Sequence, residues 1–170
     1  MEFGSTLKRL DARGAAVESP EQGLQLALRY LSYRPRSELE VKHYLRQKGC
    51  APQVSDAVIV KLRSLNYLDD ISFAQIWARS RLESRGYGPR RVEQELRAKG
   101  IDAKVIRDTM QQSLARTSEQ ESARSILTKR FGGASLQDAK AQRRAVALLL
   151  RRGFSSKVIF DLLKYRIDED

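Results

Sequence analysis

Arginine and lysine dominate the side chains of this sequence that can do chemistry, and what they do best is hold phosphate or carboxylate. In 170 residues, 32 Lys plus Arg stand against 21 Asp plus Glu, for a formal charge of +11. A polyanion is the partner this balance points to. From Lys140 to Lys157 the sequence carries Lys140, Arg143, Arg144, Arg151, Arg152 and Lys157 without one carboxylate. A central stretch carries Arg79, Arg81, Arg85, Arg90, Arg91, Arg97, Lys99, Lys104 and Arg107 around only Glu83, Glu93, Glu95 and Asp102, and an earlier one adds Arg34, Arg36, Lys42, Arg46 and Lys48. Phosphate contact through such residues is independent of base sequence and strongly salt-sensitive. Tyr33 and Tyr87 lie in turns where exposure is expected, which makes them stacking or partner-contact candidates.

Catalytic chemistry finds little to build on. The single histidine, His43, has no second His or Cys-His spacing from which a metal site or proton relay could be made, and reads as an ordinary helix residue. The single cysteine, Cys50, excludes an internal disulfide and fits a reducing compartment, the cytoplasm. It occupies the place taken by Ile101 and Phe154 elsewhere in the chain, so it reads as a packed apolar residue. No Gly-rich loop followed by Lys and Ser or Thr is present. Asp69 and Asp70 suit a helix start better than an acid-base pair. Phe73 and Trp77, four apart, read as a core stripe. Neither a cofactor nor a metal is expected, nor a small-molecule substrate.

The elements that position the cations are read from an internal repeat. Gly49, Gly100 and Gly153 are 51 and 53 residues apart, and their surroundings match. Leu45, Leu96 and Leu149 precede them by four residues, and Val41, Val92 and Ala145 by eight, which is one helix face. A base stands directly before each (Lys48, Lys99, Arg152), and a valine five residues after (Val54, Val105, Val158). A basic last turn, a Gly free to take positive φ, and a new helix make a helix-turn-helix punctuation.

Ser19-Pro20-Glu21-Gln22 gives an N-cap with proline at the first helical position, Ser37-Glu-Leu-Glu40 and Ser118-Glu-Gln-Glu121 give capping boxes, and Asp70 and Asp102 can cap two further helices. Pro35 and Pro89 mark the turns before the middle helices of the first two repeats, where Phe131-Gly-Gly133-Ala stands in the third. The expectation is nine helices, at about 21–33, 37–48, 53–66, 70–85, 89–99, 102–116, 118–131, 137–152 and 155–166. The fold class is all-α, with three tandem three-helix units (20–68, 69–116 and 117–166) in an elongated array whose curvature and hand are left open. Residues 1–19 read as a flexible start with vector-like residues, and 167–170 as a tail. No segment reads as a membrane span or secretory leader, and the expected state is a soluble monomer.

At 100° per residue, Lys140, Arg144 and Arg151 fall within about 40° of each other, with Val146 and Leu149 on the opposite side. One face of that helix is expected to pack and the other to present guanidinium groups. The alternative use, base readout by helices after the Gly turns, is poorly served by Ala51-Pro-Gln-Val, Asp102-Ala-Lys-Val and Ser155-Ser-Lys-Val.

The same stretches resemble a known family, the RecX regulators of the RecA recombinase. The resemblance rests on Ala27-Leu-Arg-Tyr-Leu-Ser-Tyr-Arg-Pro-Arg-Ser37, Leu45-Arg-Gln-Lys-Gly49, Tyr67-Leu-Asp-Asp70, Phe73-Ala74 with Trp77, Ser80-Arg81, Gly86-Tyr-Gly-Pro89-Arg-Arg91, Glu95-Leu-Arg-Ala-Lys-Gly-Ile-Asp102 and Arg151-Arg-Gly-Phe154. It implies three tandem three-helix units lying along the groove of the RecA-DNA filament. It implies also a non-enzymatic regulator that restrains RecA's ATP hydrolysis, strand exchange and coprotease activity in recombination, repair and the SOS response. Single- and double-stranded DNA would be met through phosphates. The basic residues named above, with Tyr87, are the binding candidates. A helical DNA-binding protein acting without RecA is the alternative.

Overall fold

The computed structural model describes Val17, residues 19–132 and residues 138–164. Within these residues lie nine α-helices: α1 (Pro20–Leu31), α2 (Glu38–Gln47), α3 (Pro52–Ser64), α4 (Asp70–Arg79), α5 (Pro89–Ala98), α6 (Ala103–Arg116), α7 (Glu119–Phe131), α8 (Ala139–Arg152) and α9 (Ser156–Lys164). Among the described residues there is no strand, only an isolated parallel bridge between Val17 and Cys50. The expected Gly133-Ala134 turn and residues 165–170 lie outside the described set.

The helix starts follow the local chemistry of their caps. Ser19 Oγ accepts the N–H of Gln22, and Ser37 with Glu40 closes a full capping box. Asp102 accepts from Lys104, and Ser118 makes the forward half of its box by accepting from Glu121. α4 begins on Asp70 itself, so this acid favours the helix dipole from inside the first turn and does not precede it. The expected continuous helix to residue 85 instead opens into a π turn, Ser80–Ser84, closed by Arg85 N–H to Ser80 O at 3.2 Å.

The three Gly turns are one motif. Gly49, Gly100 and Gly153 have φ of 85°, 75° and 85°, a region that costs a side chain about 1 kcal/mol or more. In each, the residue after Gly donates to the Leu carbonyl: Cys50 to Leu45 at 3.0 Å, Ile101 to Leu96 at 3.1 Å, Phe154 to Leu149 at 3.1 Å. Each Gly N–H bonds three residues back, completing a Schellman pair. A fourth copy ends α3, where Asn66 takes φ 58° and Tyr67 donates to Leu62 at 2.9 Å.

The chain divides into two compact bodies, Met1–Asp69 and Asp70–Asp170. The core of the first joins Ala27, Val41, Leu45, Cys50, Val58 and Leu62 from α1, α2, α3 and the turn between α2 and α3. Val17, from the segment expected to lie outside the fold, packs against that core and donates to Gly49 O at 3.2 Å. The second body holds two cores. One gathers Phe73, Ala78, Val92, Leu96, Ile101 and Met110, and the other Leu127, Ala145, Leu149, Phe154, Ile159 and Leu162. The repeat leucines Leu45, Leu96 and Leu149 are fully buried, as are Val41, Val92 and Ala145. Truncating such a leucine to alanine typically costs about 2–5 kcal/mol.

Candidate functional site

The structure sorts the expected cations into two groups, those consumed inside the fold and those left to solvent. In the first body, Arg34 pairs with Glu40 at 2.9 Å. The Arg36 guanidinium lies 4.0 Å from the centroid of the Tyr30 ring, Tyr30 stacks on Tyr44 at 4.0 Å, and Lys48 lies 5.6 Å from Tyr44. Such contacts stabilise while leaving the cation less available to a ligand. Lys42 pairs with Asp56 at 2.5 Å, and its hydrogen bond holds the Asp56 carboxyl below the usual carboxylate range. Arg46 is exposed and adds only its field at Asp56. Cys50 is buried, and desolvation raises its thiol above the ordinary value. Tyr33 is 74% exposed, as its turn position suggested.

In the second body the Glu95 carboxylate collects three donors: Trp77 Nε1 at 3.0 Å, Arg81 Nε at 2.8 Å and Arg91 Nε at 3.3 Å. Arg81 and Lys99 both lie over the Trp77 ring, at 4.0 Å and 4.6 Å. Phe73 and Trp77 stack at 5.5 Å, so the pair forms the expected core stripe, finished with a polar edge. Arg97 pairs with Glu93 one turn away. Tyr87, expected to stand exposed, is half-buried with Arg91 over its ring at 3.8 Å, because the loop carrying it is pinned from both sides.

Arg152, a binding candidate in the sequence, takes part in that pinning. Its guanidinium is half-buried and donates to the carbonyls of Gly86 at 3.1 Å and Arg85 at 3.3 Å. In return, Gly88 N–H donates to Arg152 O at 2.7 Å and Arg90 N–H to Gly153 O at 3.1 Å, while Arg91 reaches Arg151 O at 3.3 Å. A Cβ on Gly88 would lie 2.4 Å from the Gly153 carbonyl, so only glycine permits this backbone contact. The bases directly before the three Gly turns, Lys48, Lys99 and Arg152, are all engaged within the fold.

Among the described residues, the side chains of Arg46, Arg79, Arg85, Arg90, Lys104, Arg107, Lys140, Arg143, Arg144, Arg151 and Lys157 remain exposed and make no hydrogen bond, ion pair within 4 Å or ring contact. Two of these, Arg144 and Arg151, join Arg130 along a cleft between α7 and α8 floored by Phe131, Ala147 and Leu148. Its continuation is lined by Ile126, Lys129, Arg130, Leu148 and Arg152. No carboxylate is among these lining residues, so the cleft focuses positive potential over an apolar floor. Arg143 points elsewhere, lining a groove between α8 and α9. Lys129 and Arg130 escaped the sequence reading, although a basic last turn on α7 was visible. Only the packing of α7 on α8 sets them beside Arg144. Among the described residues no group of His, Cys, Asp and Glu is placed to hold a metal, and no helix is long and apolar enough to cross a membrane.

Comparison with known proteins gives a consistent result. Family profiles for the first, second and third three-helix domains of RecX match residues 24–62, 69–110 and 118–163. The chain is 36% identical over 145 residues to the regulatory protein RecX of Mycobacterium leprae, covering 84% of each chain. It is 40% identical over 94 residues to that of Lactobacillus johnsonii, spanning 35% of that longer protein. The crystal structure of RecX from Lactobacillus salivarius superposes with a TM-score of 0.73 at 26% identity, over 89% of this chain and 97% of that one.

Proposed function

The chain belongs to the RecX family of regulatory proteins, and from that premise we propose that it is a non-enzymatic, cytoplasmic regulator acting as a monomer in the groove of the RecA-DNA filament. There it restrains ATP hydrolysis, strand exchange and coprotease activity during recombination, repair and the SOS response.

The observation that supports this reading best is the α7–α8 cleft, where Arg130, Arg144 and Arg151 converge and no carboxylate is among the described lining residues. Guanidinium groups held over an apolar floor suit phosphate oxygens, and the contact is blind to base sequence. That property fits a protein which must meet any DNA lying in a recombinase filament. The outward cations of the second repeat, Arg79, Arg85 and Arg90, add to the same phosphate-directed surface. Arg34, Arg36, Lys42, Lys48, Arg81, Arg91, Arg97, Lys99 and Arg152 contribute by holding the repeats in shape, as does Tyr87.

Titrating the protein into RecA on single-stranded DNA tests this. The expected outcome is a fall in ATP hydrolysis at protein well below RecA stoichiometry. Tight binding to free DNA with RecA turnover unchanged favours the independent DNA-binding alternative.

A further inference from the structure

The α8–α9 groove differs in kind from the basic cleft on the other side of α8. Val146, Ala147, Leu150, Ile159, Phe160 and Leu163 line it, with Arg143 at its edge. Leu150 is 50% exposed and Phe160 63% exposed. Large apolar side chains grouped on a surface mark a contact more often than chance does.

The other two repeats supply an internal control. Seven residues before the Gly turn stand Lys42, Glu93 and Val146, three before it Arg46, Arg97 and Leu150, and seven after it Asp56, Arg107 and Phe160. In the first repeat the Lys42–Asp56 ion pair spans this face from α2 to α3, and in the second the Arg97–Glu93 pair lies along α5. Only the third repeat carries hydrocarbon at all three positions. Leu150 is half-exposed, and the other repeats carry arginine there, so the core does not require it to be apolar, whereas Val146 also packs against the core.

We propose that this groove receives an amphipathic acidic helix of a protein partner. Leu150 on α8 and Phe160 on α9 stand exposed at the sides of the groove, and the buried Ile159 and Leu163 underlie it, so the groove presents an apolar floor and walls to the apolar stripe of a third helix. The charge around the trough selects an acidic one: Lys140, Arg143 and Lys157 are exposed, and no carboxylate occurs from Ala139 to Phe160. The acids that flank the stretch, Asp138 and Asp161, stand at its two ends, and the Asp138 side chain is occupied in capping α8. This goes beyond phosphate binding, because the floor of the groove offers no cation to DNA.

The test uses the whole chain and a fluorescent synthetic peptide with leucines at i, i+3, i+4 and i+7 on an otherwise glutamate-rich helix. The double substitution Val146→Glu with Leu150→Arg installs the ion pair of the second repeat without changing net charge. It is expected to lower peptide affinity about tenfold or more, with affinity for free DNA unchanged and some loss of thermal stability at the core-packed Val146. Leu150→Arg alone, at a half-exposed position and with the residue found in both other repeats, gives the same direction with thermal melting unchanged. A lysine-rich counterpart of the peptide is expected to bind at least about tenfold more weakly than the acidic one. Equal binding of a scrambled peptide overturns the proposal. So does tighter peptide binding after truncation beyond Lys164, which assigns the groove to the chain's own acidic end. A concentration-dependent dimer that the double substitution abolishes assigns it to a second copy and overturns the proposal as well.

Discussion

The Gly turns of the second and third repeats are locally the same object and are put to different uses. Gly100 and Gly153 share positive φ, the same pair of backbone hydrogen bonds, and a fully buried leucine four residues earlier. Lys99, before the first, lies over Trp77 within its own repeat. Arg152, before the second, crosses to the carbonyls of Arg85 and Gly86, and the Gly153 carbonyl accepts the Arg90 N–H from the neighbouring repeat. The Gly100 turn is exposed. Local sequence thus fixes the turn, and a loop more than sixty residues away in sequence fixes what the turn is for. A base beside a helix-ending glycine says little about ligand binding until its neighbours across the fold are known.

The largest expected way to break this equivalence is Gly153→Ala. The new Cβ meets both the left-handed conformation and Arg91, whose Cβ and backbone N lie 2.4 Å and 2.5 Å from its position. A loss of about 3 kcal/mol in thermal or denaturant unfolding is expected, against about 1 kcal/mol for Gly100→Ala, where conformational strain is the identified cost. Equal losses at the two sites would remove the inter-repeat contact from the account. Gly88→Ala comes next, at about 2 kcal/mol, because its Cβ faces Gly153 backbone that has no room to yield. Arg152→Ala is expected to cost about 1 kcal/mol through its two carbonyl partners, with little change in the salt dependence of DNA binding. The smallest effect on stability belongs to Arg144→Ala and Arg151→Ala, below about 0.5 kcal/mol each. Each is expected instead to flatten the slope of log affinity against log salt by about 1. Unchanged slopes would remove the α7–α8 cleft from the proposed phosphate-binding surface.

Much of the fold was legible because its determinants are short-range. A Schellman turn needs a leucine, a glycine and an apolar residue within six positions, and a cap needs a serine or aspartate within three, so both stand out in one sequence. Asn66 ends α3 by the same geometry and was missed because asparagine is a weaker marker of positive φ than glycine. The candidate site was far less legible. Composition identifies a basic surface but does not separate Arg144, whose side chain has no partner among the described residues, from Arg152, which is held by carbonyls more than sixty residues earlier. Lys129 and Arg130 become neighbours of Arg144 only through helix packing. The apolar trough at Leu150 shows itself in sequence only when the repeats are aligned on their glycines.

The one sulfhydryl of the chain, Cys50, sits in the core of the first body alone. An alkylating reagent can reach it only when that body opens, and its raised pKa keeps the exposed-thiolate fraction low until then. The rate of thiol labelling therefore reports the opening equilibrium of the first repeat while remaining silent about the other two. Measured with a RecA filament present and absent, it tests whether the proposed partner clamps that repeat.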